Sequence, residues 1–419
     1  MTVYLFKLAV KNLLRHKRRT FLTFLAISAG LSVFIIEDSL IAGFDREAIQ
    51  NLINLESGHL RIHIKNEDND FFPDSSPPSL DKAFPPEEAS SIARTTPGMI
   101  GVAPRVRFSA FLNNGWEEYP VTGIGIHPEL DGEVFTIAAY LTAGRLPEAA
   151  KSEAVLGAAL AALMGLEVGD YFTLVTKTAE QSFQALDLEV TGLLDSPHPE
   201  VNKATVFLPL DVAQEALLLG TKVTEIAVRL PPGAPIKGGL ARLQGELTRR
   251  GAPAELKVSS WEELSREFLE LGDIDQKFAI VFMGLVMLIA VVGVVNSILL
   301  GAMERTREIG IMKAMGLSER EIVQEFLFEG LLLGLLGGLA GVAVSLLAEL
   351  YLVNWGLDIT PFVGDLDFGY PVAAKAYAVW NPRTALIALL ISIVAGAAAA
   401  YIPARRAARL DPAVALRHG

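Results

Sequence analysis

One charged insert lies between two long apolar runs: Glu304–Ile322, reading ERTREIGIMKAMGLSEREI. Its residue types suit ion pairing and docking rather than bond-making. Glu304 with Arg307, and Arg305 with Glu308, stand three apart and can pair along one helix face. Ile309, Met312 and Met315 supply apolar contacts beside Lys313. Gly316 is placed to close the helix in the left-handed conformation that glycine adopts freely. Ser318 and Glu321 then make the S-x-x-E box that starts a following helix. A polar insert this short is no domain. It is read as a short helix pressed against something; a solvated loop carrying topogenic charge is the other reading.

No constellation for bond chemistry accompanies it. The phosphate-cradling pattern G-x-x-x-x-G-K-[ST] is missing, and the chain has no Gly-Lys pair at all. No Ser-His-Asp or H-E-x-x-H arrangement stands out. His59 and His63 lie too far apart along a strand to share a metal without a third ligand, so solvated histidines are expected. With no cysteine, thiol chemistry, Cys-bound zinc and a lipidated cysteine anchor are excluded.

The flanking runs explain what holds the insert. Phe278–Met303 is free of charge for roughly 26 residues, more than the ~20 that span a bilayer. Gly330–Ala348 is free of charge for about 19. The whole chain, 419 residues with 51% hydrophobic content and a formal charge of −12, has positive mean hydropathy, which argues against a soluble enzyme. Its acidity argues against nucleic acid as a partner. Charge is unevenly spread: Met1–Thr20 holds six Lys/Arg and no acid, while Asp45–Asp275 holds 35 Asp/Glu against 19 Lys/Arg. Short basic flanks stay in the cytoplasm, whereas long domains cross largely regardless of charge. The acidic segment is therefore placed outside.

Taken in order, the chain reads as a cytoplasmic amphipathic helix (1–19), a first span (20–42), an extracytoplasmic domain (43–275), a second span (276–303), the insert (304–317), a third span (318–353), an external loop (354–383) with Asp358, Asp365 and Asp367, a fourth span (384–404) and a cytoplasmic tail (405–419). In the first helix Val3, Phe6, Val10, Leu13 and Leu14 share a face opposite Lys7, Lys11, Arg15 and Arg18, the pattern of an interfacial helix. The extracytoplasmic domain begins with an alternating strand at 58–65 and an exposed loop at 66–86. A helix (86–94) and strands at 100–112 and 119–126 follow. After an inserted lobe at about 140–220 come a strand (223–230), a helix (235–250), a strand (255–258) and a helix from 261. This is read as a ferredoxin-like lobe with a mostly β insert. Within the insert a helix is expected at 152–164 and a hairpin from 171–178 and 184–193. Inside the spans, Asn296 is expected to bond a neighbouring helix, with substrate contact as the alternative. Gly330, Gly334 and Gly338 make a small-residue stripe for close helix packing within the subunit or across a dimer. Glu329 is an intramembrane acid, expected to pair with the insert.

NSILLGAMERTREIGIMKAMG, then EFLFEGLLLGLLGGLAG and the terminal PARRAARLDPAVALR resemble the permease subunits of the MacB/LolC/FtsX group of ABC transporters. The resemblance implies four transmembrane helices with a large extracytoplasmic α+β domain. It makes the insert a coupling helix that docks on an ATPase through Glu304, Arg305, Arg307, Glu308, Ile309, Met312, Lys313, Met315 and Gly316. ATP and Mg would be bound by that separate LolD/MacB-type subunit, with no cofactor in this chain. Other implied partners are a second copy or homologous permease, the lipid bilayer, and a periplasmic carrier or adaptor protein. The location is the bacterial inner membrane. The layout, with SGHLRIH opening the outer domain, is nearest to LolC/LolE-type permeases, implying lipoprotein release. MacB-like efflux of a periplasmic small molecule or peptide and FtsX-like control of a cell-wall hydrolase are the other readings.

The topology is open to a clean test because the chain lacks cysteine. In intact cells an impermeant thiol reagent is expected to spare Ser318→Cys and to label cysteines placed within 45–275. Labelling at position 318 would reverse the assignment.

Overall fold

The computed structural model describes residues 2–65, 79–358 and 375–409. Most of the loop expected at 66–86, Asp365 and Asp367 of the 354–383 loop, and the tail from 410 onward lie outside the described residues. Contacts divide the chain into a helical unit (Met1–Phe44, Gly272–Ile359, Lys375–Gly419) and an α/β unit (Asp45–Leu271, Thr360–Ala374).

The chain opens with α1 (Thr2–Arg15) and the long α2 (Lys17–Asn51). α1 packs on its neighbours through a face other than the apolar one. Leu5, Ala9 and Asn12 face inward, while Tyr4, Val10 and Leu14 are exposed. Phe6 sets its ring edge-on to Phe328, with centroids 5.9 Å apart. Phe6, Val10 and Leu14 thus remain exposed on the face expected to meet the membrane interface.

After a π-helical turn (Leu52–Ser57) the α/β unit runs through β1 (Leu60–Ile64), α3 (Pro86–Thr95), β2 (Gly101–Asn113), β3 (Glu118–Ile126), α4 (Pro128–Val134), β4 (Leu141–Gly144) and β5 (Glu153–Gly157). It continues with α5 (Ala158–Met164), β6 (Tyr171–Lys177), β7 (Phe183–Leu194), α6 (Pro199–Ala204), β8 (Thr205–Pro209), α7 (Leu210–Ala216), β9 (Glu225–Arg229), α8 (Ile236–Arg249), β10 (Leu256–Ser260) and the single turn α9 (Trp261–Leu264). Strands β10, β1, β9 and β2 lie side by side in that order, all antiparallel. Helices α3 and α8 pack on them through Ala89, Ile92, Leu243 and Leu247. That is the ferredoxin-like arrangement, with β9 and not β3 as its third strand in chain order. β3 instead pairs with the far half of β2 and, in parallel, with β8. The strand at 119–126 therefore belongs to the second lobe, which starts well before residue 140. There β2, β3, β8, β5, β7 and β6 pair in sequence and β6 returns to β2, closing a ring. The thirteen-residue β2 serves both lobes, and alternation alone cannot say which neighbour each half of a long strand will take. Glu153–Gly157, expected as the start of a helix, is a strand buried at every position. A short run buried on both faces carries no period that distinguishes it from helix.

Charged side chains are buried where the lobes meet. Arg105 is fully buried; its Nε and Nη2 donate to Asp131 Oδ1 and Oδ2 at 2.6 and 3.0 Å, and its guanidinium lies 3.3 Å from the Phe135 ring centre. Arg61 reaches Glu225 at 3.2 Å. Burial alone would push the Glu225 carboxyl up, but Arg61 and Arg107 hold it below its usual range. His59 and His63 are half-buried rather than solvated: His63 Nε2 lies 3.0 Å from Ser259 Oγ, and burial beside Arg61 pushes its pKa down.

In the helical unit, α10 (Arg266–Glu304), α11 (Thr306–Ala314), α12 (Glu319–Trp355) and α13 (Pro382–Ala408) complete the set. Among the described residues four helices are long and apolar enough to cross a membrane: Lys17–Ser57, Ile280–Glu304, Glu319–Trp355 and Pro382–Ala408. The glycine stripe is spent inside the subunit. A Cβ on Gly330 would strike the Gly396 carbonyl oxygen, and one on Gly334 or Gly338 would strike Ser392. On the adjoining face Gly337 and Gly341 admit Ile27 and Leu31 of α2.

Removing one partner of a buried ion pair strands the other and typically costs ~3–5 kcal/mol. Asp131→Ala is therefore expected to lower the thermal unfolding midpoint of the detergent-solubilised chain markedly. Arg249→Ala, which breaks only an exposed pair with Glu246, should leave it unchanged. Equal midpoints for the two variants would refute this account of Arg105.

Candidate functional site

The helix that begins as α10 does not pass smoothly into the charged insert. Arg305 leaves helical geometry at φ −108°, ψ 16°, separating α10 from α11, and its side chain turns inward. Nη2 donates to Glu325 Oε1 at 2.7 Å, Nη1 to Glu329 Oε1 at 3.0 Å, and Nε to Glu308 Oε2 at 3.2 Å. Asn12 of α1 donates its amide to the same two oxygens of Glu325 and Glu329, at 2.8 and 2.9 Å. The Phe326 ring lies 5.8 Å from the guanidinium. Arg305 thus ties α11 to α12, and Asn12 brings α1 onto the same two carboxylates. A small polar cavity beside it is lined by Asn12, His16, Arg19, Ser297 and Glu329.

Around this centre the insert divides into an inner and an outer face. Glu308 bridges outward to Arg15 Nη1 at 2.6 Å, and Arg15 with Arg305 keeps its carboxyl below the usual range. Glu304 pairs with Arg19 at 3.1 Å and lies 3.4 Å from His16, not with Arg307. The break at Arg305 takes 304 and 307 off a common helix face. Ile309 is fully buried and Met312 packs on the same core beside Ile322 and Phe326. Both apolar side chains serve this subunit's own packing. Lys313 donates to the Ala408 carbonyl at 2.8 Å and lies 3.9 Å from Glu319, tying α11 to the end of α13. Arg307, Ile311 and Met315 share an exposed face of α11, the last two 43% and 70% exposed.

The turn out of the insert is built as its residues require. Gly316 sits at φ +97°; its N–H donates to Lys313 O and that of Leu317 to Met312 O. This pair of bonds is the Schellman closure. Ser318 and Glu321 exchange both capping-box bonds at the start of α12. With cap and closure in place, α11 has a fixed direction relative to α12.

Two residues of the site went unremarked in the sequence. Glu325, fully buried, stands four before Glu329, and that spacing alone places both acids on one helix face. Asn12 is the one polar position among Leu5 and Ala9 on the inner face of α1. Asn296 behaves differently from expectation. It is exposed on α10 and, among the described residues, has no hydrogen-bond partner, while its neighbour Ser297 is the buried one.

Residues 20–245 match the MacB-like periplasmic core domain family and residues 280–412 the FtsX-like permease C-terminal family. A lipoprotein-releasing system transmembrane protein LolC of Neisseria meningitidis serogroup B is 24% identical over 98% of each chain. A macrolide export ATP-binding/permease protein MacB of Escherichia coli is 25% identical over 98% of this chain and 60% of its own length. The chain thus spans nearly all of the first and about three-fifths of the second. The periplasmic region of MacB from Actinobacillus actinomycetemcomitans aligns with 50% of this chain and 91% of that one, at 12% identity and a TM-score of 0.36.

If Arg305 is the tie, Arg305→Ala leaves Glu325 and Glu329 buried without a cation, a loss of ~3–5 kcal/mol or more. Arg305→Lys restores charge but not the fork that reaches two carboxylates, so only partial recovery is expected. Unfolding midpoints in detergent should rank wild type, Lys, then Ala. A midpoint for Arg305→Ala at the wild-type value would overturn the assignment.

Proposed function

The chain belongs to the family of ABC transporter permeases of the MacB/LolC type, and on that premise we propose that α11 is its docking point for an ATPase. A single observation carries this reading: the insert is held from behind by Arg305 while its front face stays open. Ile311 and Met315 are apolar and exposed, one and two turns after Arg307, on a short helix charge-locked to α1 and α12. Nucleotide binding and hydrolysis are assigned to a partner chain, which would hold ATP and Mg. Closure of the ATPase would push on α11, and the Arg305 tie would pass that push to α1 and α12 together rather than let the helix yield alone. The orientation that goes with this places both termini and α11 in the cytoplasm and the α/β unit outside the plasma membrane, with two permease chains per assembly.

For the cargo, lipoprotein release is favoured over efflux. Its support is the end-to-end correspondence with the LolC protein, 98% of both chains. A carrier or adaptor protein would receive the cargo at the α/β unit. Loss of a mature lipoprotein from the outer membrane, with its accumulation in the inner one on depletion of this chain, is the result that separates release from small-molecule efflux.

Of the docking residues expected, Ile309 and Met312 pack inside this subunit, so we assign the contact to Met315 together with Ile311. Met315→Asp and Ile311→Asp should weaken co-purification of the ATPase about 30-fold or more, if each is a hot spot worth ~2 kcal/mol. Both should still insert and fold, because neither side chain is part of the buried core. Normal assembly and turnover in the double variant would sink the docking reading.

A further inference from the structure

The two sides of α10 differ in what covers them. Ala290, Val294, Ile298 and Ala302 recur every four residues and are buried in this subunit's own core. On the other side Leu285, Ile289, Val292, Asn296, Leu299 and Met303 recur at alternating steps of four and three. All six are exposed except the half-buried Leu299, with Ile289 and Val292 at 63% and 60%. Steps that average 3.5 residues are the repeat with which one helix wraps on another like it. Apolar side chains on such a stripe could simply meet lipid. Asn296 could not. It stands eight residues before Glu304, about 12 Å inside the span, and among the described residues it has no hydrogen-bond partner.

Hydrocarbon offers neither donor nor acceptor, and an amide left in it without partners is costly. The side-chain amide of Asn carries two donors and an acceptor oxygen, so it is its own complement. Two of them facing each other across a two-fold axis can exchange hydrogen bonds, with the same surface on both sides. Copies inserted the same way up share an axis along the bilayer normal, which sets their α10 helices parallel. In parallel pairs a lone Asn on an apolar seam fixes register and chain number, at some cost in stability. Ile289 precedes Asn296 at one set of seam positions, and Leu285 and Leu299 occupy the other; β-branched residues in the first set with leucine in the second favour two strands. Gly293, one turn before Asn296, would meet nothing within 4 Å if given a Cβ, and bare backbone there lets a second helix close in.

We propose that α10 pairs with α10 of a second copy of this chain along the stripe from Leu285 to Met303, the two Asn296 amides hydrogen-bonded to each other within the bilayer. The inference rests on the two-chain assembly proposed above and names its surface. It does not involve the ATPase or the cargo.

Single cysteines in this cysteine-free chain test the surface directly. In membranes holding the full chain, oxidation is expected to link Ile289→Cys and Val292→Cys into disulfide dimers. Gly284→Cys, exposed on α10 but off the stripe, should stay unlinked. For Asn296, donor- and acceptor-labelled copies in liposomes are diluted with lipid while energy transfer is followed. Asn296→Leu is expected to raise the dimer dissociation constant between about 3- and 30-fold. Asn296→Gln, which keeps both hydrogen-bonding groups, should recover most of that loss. If Asn296→Leu does not fold, the cysteine series decides. Equal linking at Gly284→Cys, linking of the stripe to a different membrane protein, or an Asn296→Leu dimer as tight as wild type overturns the proposal. Dimers that link only through another helix overturn it and leave the two-chain assembly standing, whereas no energy transfer at any dilution removes both.

Discussion

Everything at the α11 end depends on one guanidinium serving two buried carboxylates. Taking Arg305, Glu325 and Glu329 out of water is expensive, and well-packed apolar residues of the same volume would often be no less stable. The gain is in position. Apolar helix seams tolerate a slide or a turn with modest change in energy, whereas a slide here would strand three charges and the Asn12 amide at once. The register of α1 against α12, and the direction of α11, are set together. That is the property a lever needs, and it explains why the insert keeps a helix break at the residue that does the tying.

Close packing supplies the complementary stiffness. Gly330 against Gly396 and Gly334 against Ser392 bring the backbones of α12 and α13 into contact, and Gly337 and Gly341 do the same toward α2. Dispersion between backbones at short range, with little side-chain entropy to lose, holds such seams where lipid offers no hydrophobic drive. Because α12 spends one glycine face on α13 and the adjoining one on α2, it is the central helix of its unit. A load entering at Glu325 and Glu329 therefore enters the helix with the closest neighbours.

Much of this was legible in the residues, and the failures have physical causes. The Gly316 closure, the Ser318 box, the Arg305–Glu308 pair and the pairing of Glu329 with the insert all follow from local chemistry at fixed spacing. The second lobe was harder. Whether β3 joins β9 or β8 is decided by long-range pairing along a strand whose two halves look alike, and Glu153–Gly157 carries no period. Apolar residues misled in a different way. Met312, expected on the outer face of the insert, packs instead on this subunit's own core. Where lipid surrounds a helix, polar and small residues mark the packed side: Asn12 on α1, Ser297 on α10, the glycines on α12.

Near α11 the two buried acids of α12 are matched by an arginine, whose guanidinium stays charged at any accessible pH. The tie of α11 to α12 therefore does not come and go with pH, as one made by a histidine would.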